Sequence, residues 1–210
     1  MLKNIVIIKT RFAAFAAAVL VGSTLMFQPA FAQGDAGAGE SIGYSCLGCH
    51  GIDGYRNAYP SYRVPKLGGQ TASYLSIALR GYRDGTREHP TMIAQAASLT
   101  DQEIDDVAAY LAGLVDTSAK QGGAANVTPP QEAAVCTACH GQYGFSMGPM
   151  WPTLAGQHED YLVKSLEAYR SGVRKDPVMM PMAANLTDQD IALLARYFSR
   201  LDGLETTEAE

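Results

Sequence analysis

Two short segments of the chain pair closely spaced thiols with a histidine. Residues 46–51 and 136–141 both follow the pattern Cys-x-x-Cys-His-Gly. Cysteines three positions apart lie on one side of a helical turn, where each thiol can form a thioether bond to a vinyl group of haem. The histidine that follows is then positioned to ligate the iron. The pattern predicts two haem c groups, attached through Cys46, Cys49, Cys136 and Cys139 and ligated by His50 and His140.

Paired cysteines also serve other chemistry, and three alternatives compete with haem attachment. A dithiol redox centre and a zinc site of four thiolates both use Cys-x-x-Cys, and four cysteines in an exported chain can form two disulfides. None of these explains a histidine directly after each pair. The recurrence of the motif at matching places in a repeated unit favours haem.

The two motifs belong to a longer unit that occurs twice. The motif recurs after 90 residues, and the segments that follow it recur after 87. The matching segments are 65–70 with 152–157, Tyr74-Leu75 with Tyr161-Leu162, Tyr82-Arg83 with Tyr169-Arg170, and 99–102 with 186–189. Three residues are thus missing from the second copy, in a loop where such a change costs little stability.

Each copy is predicted to be helical. Helical spacing of apolar and aromatic residues predicts two equivalent helices, over residues 71–83 and 158–170. Two glycines lie where these helices would end, Gly85 and Gly172. A further helix is predicted to begin at Thr100, whose hydroxyl fits a capping box with Glu103, and its counterpart follows Thr187. Because no segment alternates convincingly with period two, the predicted fold class is all-α.

The repeat and the composition divide the chain into five segments. They are a signal peptide at 1–32, an N-terminal domain at 33–115, a linker at 116–130, a C-terminal domain at 131–204 and an acidic tail at 205–210. The linker is small, polar and aperiodic, with paired glycines and paired prolines. Each domain, at about 80 residues, is small for a self-sufficient core, and a buried haem would supply apolar contact. We expect the tail to be disordered.

The first 32 residues have the organisation of a secretory signal peptide. Basic residues precede an apolar run over 12–27, and Ala30 and Ala32 form a small-x-small cleavage site. An uncleaved membrane anchor is the alternative, although 16 apolar residues fall short of the roughly 20 that span a bilayer. Cleavage leaves 13 Lys+Arg against 21 Asp+Glu, a formal charge of −8. That charge argues against nucleic acid as a partner and favours a partner with a basic patch.

The methionines are the candidates for the second protein ligand of each iron. Met92 is the single methionine after the cysteine motif in the first copy, and the offset of 87 maps it onto Met179. Met182 and Met180 are alternatives in the second copy. In the first copy His89 is an alternative to Met92, but the repeat disfavours it because the residue equivalent to His89 is Asp176. A thioether opposite histidine favours reduced iron and fills the last coordination position. A closed iron site is expected of an electron carrier and argues against an enzyme.

Other repeated residues are candidates for supporting roles. A carbonyl at Pro65 or Pro152 could accept the Nδ1–H of the haem-ligating histidine, or each proline could merely shape a loop. Arg83 and Arg170 could pair with haem propionates, or lie on a solvated helix face. The aromatic residues that could line haem pockets or fill the core are Tyr74, Tyr82, Tyr161, Tyr169 and Trp151. His158 is expected at the surface or on the propionate side.

With these residues in place, the chain resembles the dihaem cytochrome c4 family, within the class I cytochromes c. The resemblance covers residues 34–204 and rests on both Cys-x-x-Cys-His-Gly motifs, both Pro-x-Leu-x-Gly-Gln segments and the Leu-Thr-Asp-Gln helix starts. It implies two tandem class I cytochrome c domains, each wrapped around one covalent haem with histidine and methionine ligands. The implied ligands are His50 and Met92, and His140 and Met179. It also implies a periplasmic carrier, soluble or loosely membrane-associated, that donates electrons to a terminal oxidase.

Two other functions remain open from the sequence. A small dihaem peroxidase or sulfur-compound dehydrogenase would need a displaceable ligand at one iron, and the methionine-rich second copy is where that could occur. Nothing in the sequence supplies an obvious acid/base pair beside it. The chain could also be the cytochrome subunit of a larger dehydrogenase or oxidase complex, with the same fold and cofactors.

Overall fold

A computed structural model describes residues 34–120 and 127–207, and its regular structure is helical. Eight α-helices occur in these ranges: α1 Ala36–His50, α2 Ala72–Arg83, α3 Pro90–Ala96, α4 Asp101–Gly113, α5 Thr137–His140, α6 Glu159–Arg170, α7 Met179–Ala183 and α8 Asp188–Ser199. The described ranges contain two isolated β-bridges and no strand. The all-α prediction is confirmed. The signal peptide and linker residues 121–126 lie outside the described residues.

Helices α2, α4, α6 and α8 begin and end where local sequence signals predict. Helix α4 starts with a complete capping box, in which Thr100 and Glu103 bond each other's backbone N–H groups. Thr187 and Asp190 form the same box at the start of α8. Gly85 and Gly172 follow the ends of α2 and α6, and both have φ of 76°, a conformation that glycine adopts without strain.

The two copies differ most around their cysteine motifs. In the first copy the motif forms the end of α1, a 15-residue helix that packs against α4. A Cβ atom at Gly39 would lie 2.0 Å from the carbonyl oxygen of Asp106, so glycine permits this close approach. In the second copy the motif lies on α5, which has four residues, after a 3₁₀ turn at Gln131–Ala133. That turn places Ala133 in the core against α8.

Each copy has an apolar core of its own. The first core consists mainly of Leu47 from α1, Leu75 from α2 and residues of α4. The second is built from α6 and α8, with Phe145 and Ala155 from the loop between α5 and α6. Both cores lie beside the helix that carries the cysteine motif, so the packing of α4 and α8 positions the predicted ligands.

A reciprocal pair of glutamines joins the two copies. The side chain of Gln70 hydrogen-bonds both backbone groups of Thr153, and the side chain of Gln157 does the same to Lys66. The two glutamines are 87 residues apart in the chain, and so are their partners Lys66 and Thr153. The contact therefore has the symmetry of an isologous dimer.

The chain end is ordered where the sequence led us to expect disorder. Gly68 and Glu205 exchange two backbone hydrogen bonds of 3.1 and 3.0 Å, and the side chain of Thr207 is buried. The prediction of disorder is therefore wrong for residues 205–207. The segment returns from the second copy to the first, where it pairs with Gly68 of the Pro-x-Leu-x-Gly-Gln loop. Residues 208–210 lie outside the described residues.

Candidate functional site

The first cysteine motif occupies the last turn of α1. Cys46 and Cys49 are partly buried, and His50 is buried. The Nδ1 atom of His50 lies 2.8 Å from the carbonyl oxygen of Pro65. Because a carbonyl only accepts, Nδ1 carries the proton and Nε2 presents a lone pair. Burial lowers the pKa of His50, and the hydrogen bond to Pro65 acts in the opposite direction.

The second motif reproduces this arrangement on a different local scaffold. The Nδ1 atom of His140 lies 2.8 Å from the carbonyl oxygen of Pro152. Burial again lowers the pKa of the histidine, against the effect of the carbonyl. Although α1 and α5 differ in length, the same histidine nitrogen is oriented by the same proline in both copies.

The four thiols are available for bonding to another group. All four cysteines lie within the described residues, and none of them forms a disulfide. Burial raises the pKa of the Cys46 and Cys136 thiols, so these thiols are neutral at neutral pH. The described residues contain no cluster of three or more histidine, cysteine or acidic side chains suited to a metal ion. The zinc alternative therefore has no geometric basis in this part of the chain.

The methionines that the repeat pairs occupy equivalent positions at short helices. The backbone N–H of Met92 donates to His89 Nδ1 at 3.3 Å, and that of Met179 donates to Asp176 Oδ1 at 2.8 Å. Both methionines are partly buried, as is Met180, whereas Met182 is exposed. The substitution of histidine by aspartate between the copies thus preserves a side-chain acceptor for the backbone N–H of the methionine.

His89 has both ring nitrogens engaged in hydrogen bonds. Its Nδ1 accepts from the N–H of Met92, and its Nε2 lies 3.1 Å from Oδ1 of Asn57. Ligation of iron by either nitrogen would break one of these bonds. The geometry favours Met92 over His89 as the ligand supplied by this segment.

The arginines that the sequence analysis selected have structural partners. Arg83 bonds the carbonyl of Leu99 and the carboxylate of Asp101. Arg170 makes the equivalent pair of bonds, to Leu186 and Asp188. These contacts tie α2 to the start of α4, and α6 to the start of α8. Arg83 and Arg170 are therefore satisfied within their own copies.

Sequence reasoning missed a second equivalent pair of arginines, Arg87 and Arg174. Arg87 is only 7% exposed, and Arg174 is partly buried. Each lies five residues before the methionine that the repeat selects. The offset of 87 and that shared distance to methionine were visible in the sequence and could have identified them.

The aromatic candidates and His158 lie in different environments. Tyr74, from the first copy, accepts a hydrogen bond from Arg174 of the second, whereas Trp151 is 36% exposed. His158 is buried rather than at the surface. Burial, then the cations of Lys66 and Arg63, lower the pKa of His158 to about 4.

The residues of each copy fit a haem c group. Each copy brings two unbonded thiols, a histidine whose Nε2 is unprotonated and a methionine at a partly buried helix start. In addition, the buried Nε of Arg87 has no hydrogen-bond partner. Haem c carries carboxylates that such an atom could bind. The donor set and this orphaned donor both match the group that the motifs predict.

Comparison with known proteins places the chain among cytochromes. The sequence profile of the cytochrome c family matches residues 36–114 and 131–202, one segment in each copy. Cytochrome c4 of Pseudomonas aeruginosa is 34% identical over 186 residues, which cover 82% of this chain and 91% of that protein. A thiosulfate dehydrogenase electron acceptor of Stutzerimonas stutzeri is also 34% identical, over 81% of this chain and 85% of that protein.

A solved structure agrees with these sequence matches. The crystal structure of reduced cytochrome c4 from Pseudomonas stutzeri superposes with a TM-score of 0.61 at 30% identity, covering 80% of this chain and 99% of that one. The similarity therefore extends over nearly the whole of the relative. The chain belongs to the cytochrome c4 family and is an electron carrier with two haem c groups, one in each of its two cytochrome c domains.

Proposed function

We propose that this cytochrome is exported to the periplasm and carries electrons to a terminal oxidase, with no substrate chemistry of its own. The observation that carries the proposal is the matched geometry of the two copies. In both, a proline carbonyl 2.8 Å from Nδ1 orients the motif histidine, and the backbone N–H of a methionine donates to the side chain three residues before it. Two closed, similar iron sites suit electron transfer better than substrate binding.

Three sets of residues have roles in the proposed function. The thiols of Cys46, Cys49, Cys136 and Cys139 would hold the two haem groups covalently. His50 and His140 donate from Nδ1 to the prolines, which fixes each ring and makes Nε2 a stronger ligand. Met92 and Met179 would supply the second ligand of each iron and exclude water from it. Bound haem supplies one reversible one-electron couple per domain, at a potential that thioether ligation raises.

The N-terminal segment and the charge support the location and the kind of partner. Residues 1–32 have the pattern of a cleavable signal peptide, and the remaining chain has a formal charge of −8. A partner with a basic docking face would attract such a protein at long range. No helix in the described ranges is long and apolar enough to cross a bilayer.

Exposure of the ferrous protein to carbon monoxide at neutral pH tests the closed sites. We expect no spectral change in the wild type, and binding at one haem in Met179→Ala, which serves as the positive control. Oxidation by membranes that contain a terminal oxidase tests the direction of transfer, and it should slow as salt screens the docking charges. Carbon monoxide binding by the wild type, or no oxidation by such membranes, would contradict the proposal.

A second candidate function has a specific observation in its favour. The relative from Stutzerimonas stutzeri is a thiosulfate dehydrogenase electron acceptor, and it is as similar to this chain as the cytochrome c4 quoted above. On this alternative the chain accepts electrons as a partner or subunit of a larger dehydrogenase. Stoichiometric co-purification with a dehydrogenase from native membranes, and reduction by thiosulfate only in its presence, would support it. Purification as a single chain would favour the mobile carrier.

A further inference from the structure

Two methionines of the second domain expose their side chains to solvent near the cysteine motif. Met147 is 66% exposed and Met150 is 62% exposed. Both lie in the loop between α5 and α6, where they are followed by Trp151, which is exposed as well. Single exposed apolar side chains are common on protein surfaces, but three within five consecutive residues form a patch that indicates a binding site.

The first domain does without these three side chains. The offset of 87 maps Met150 and Trp151 onto Arg63 and Val64, and residues 53–64 contain no methionine. Arg63 instead contacts the second domain through its backbone N–H and its guanidinium. The exposed thioethers are therefore a property of the second domain alone and not a requirement of the fold that both domains share.

Backbone hydrogen bonds hold both methionines on one turn. The N–H of Met147 donates to the carbonyl oxygen of Cys139 at 3.1 Å, and the N–H of Trp151 donates to that of Gly148 at 3.2 Å. The second bond closes a β-turn that has Pro149 in its second position. The indole ring packs over Gly148, where a Cβ atom would lie 3.4 Å from Cζ3 of the ring. The loop thus presents two thioethers and an indole from a fixed backbone.

These side chains offer soft ligands and no charged ones. Residues 133–158 contain no Asp, Glu, Lys or Arg, so the loop has no carboxylate for a hard cation such as Ca²⁺ or Mg²⁺. Thioether sulfur is a soft ligand that selects Cu(I). Methionine has three rotatable bonds, so two methionines three positions apart on a turn can bring both sulfurs to one ion. The face of an indole attracts cations more strongly than the other aromatic side chains do.

We propose that Met147 and Met150 bind one cuprous ion, with the face of the Trp151 indole as a third contact. A monovalent ion suits the site because neutral thioethers supply no charge to compensate a divalent one. The site uses none of the residues assigned to the two irons. It therefore gives the electron carrier a separate binding function for a soft metal ion, on the loop that is bonded to Cys139 of the second motif.

Titration of the fully reduced protein with Cu(I) under argon tests the proposal. Ascorbate keeps both haems ferrous and the copper cuprous, so the methyl groups of ¹³C-labelled methionines can be followed by NMR. We expect saturation at one equivalent, with shifts at Met147 and Met150. Leucine is close to methionine in volume, so Met147→Leu and Met150→Leu should fold normally and weaken binding by roughly tenfold or more. Met182→Leu removes another exposed methionine of the same domain and should bind Cu(I) as the wild type does.

Other ions and the indole sharpen the test. Ag(I) is a soft ion that ferrous haem protein can be titrated with in the same way, and it should shift the same two methyl groups, whereas Zn²⁺ should shift neither. Trp151→Leu should keep the stoichiometry and weaken binding by about tenfold, and unchanged affinity would remove the indole from the site.

An apolar docking face for a protein is the rival explanation of the same exposed side chains. It predicts that leucine serves as well as methionine at both positions. A wild type that binds no Cu(I), equal binding in Met147→Leu and Met150→Leu, or a loss of binding in Met182→Leu would each overturn the proposed site.

Discussion

The side-chain amide of Gln70 pairs with both backbone groups of Thr153. Its Nε2 donates to the carbonyl oxygen at 3.0 Å, and its Oε1 accepts from the N–H at 2.9 Å. Thr153 directly follows Pro152, whose carbonyl orients His140. Gln157 makes the same contact in reverse, to the residue after the equivalent proline of the first domain. The domain interface therefore holds the loops that orient both iron-ligating histidines.

Removing either glutamine should weaken the whole protein. Gln70→Ala leaves a buried backbone donor and acceptor unsatisfied, and Gln157→Ala leaves a partly buried pair, at an expected cost of about 1–3 kcal/mol each. Denaturant unfolding followed by circular dichroism measures the loss. Gln189→Ala on the exposed side of α8 is the control and should change the free energy of unfolding by less than about 0.5 kcal/mol. Equal effects of all three substitutions would show that the reciprocal contact contributes nothing specific.

The ordered chain end should stabilise the first domain selectively. A Cβ atom at Gly51, next to His50, would lie 2.5 Å from the carbonyl oxygen of Thr207, so the end of the chain packs against the first cysteine motif. Truncation after Leu204 removes this contact and the bridge to Gly68. Amide exchange at residues 65–70 should then quicken by roughly tenfold, corresponding to about 1.4 kcal/mol.

Two comparisons make the truncation experiment specific. Exchange at residues 152–157 should stay at its wild-type rate, because Leu204 still pairs with Ala155. Glu205→Gln removes only the ion pair with Lys120 and keeps the backbone bridge, so it should cost less than about 1 kcal/mol. Faster exchange in both domains would instead indicate a general loss of stability.

Acid should destabilise the protein through His158. Its folded-state pKa is lowered to about 4 from 6.5, so the unfolded chain binds the proton first as the pH falls. Stability contributed by the neutral ring is present above pH 6.5 and is lost as the pH falls towards 4. Between pH 7 and 4.5, the wild type should lose on the order of 1–2 kcal/mol more unfolding free energy than His158→Gln. Parallel pH profiles for the two proteins would refute this assignment.

The equivalent hydrogen bonds from the backbone N–H groups of Met92 and Met179 predict which methionine ligates the second haem. Met179→Ala should abolish half of the weak red-region charge-transfer band of methionine-ligated ferric haem, and so should Met92→Ala. Met180→Ala and Met182→Ala should keep the full band, because they lie one and three residues beyond Met179, whose backbone N–H makes the equivalent hydrogen bond. If Met180→Ala lost half the band instead, Met180 would be the ligand rather than Met179.

The features that the sequence revealed are those encoded locally or by repetition. Capping pairs such as Thr100 with Glu103 are determined within a few residues, and the confirmed helix bounds follow from them. The paired motifs identified the cofactor because their chemistry lies within six consecutive residues. Local patterns therefore account for the helices and the haem attachment.

Contacts between the domains could not be predicted from these local patterns. The sequence analysis selected Arg83 and overlooked Arg87, and only the fold gives Arg83 an aspartate partner and buries Arg87. The chain end near Thr207 is ordered because it contacts the loop that contains Gly68, about 140 residues earlier in the chain. Such contacts are set by how two domains pack, for which composition carries no signal.

The haem content of the purified chain is the most direct test of the central claim. Pyridine haemochrome spectra, scaled to protein concentration, should give two haem c groups per chain for the wild type. The paired variants Cys46→Ala/Cys49→Ala and Cys136→Ala/Cys139→Ala should each give one. One haem per wild-type chain, or two in either paired variant, would contradict a dihaem protein with one covalent haem in each domain.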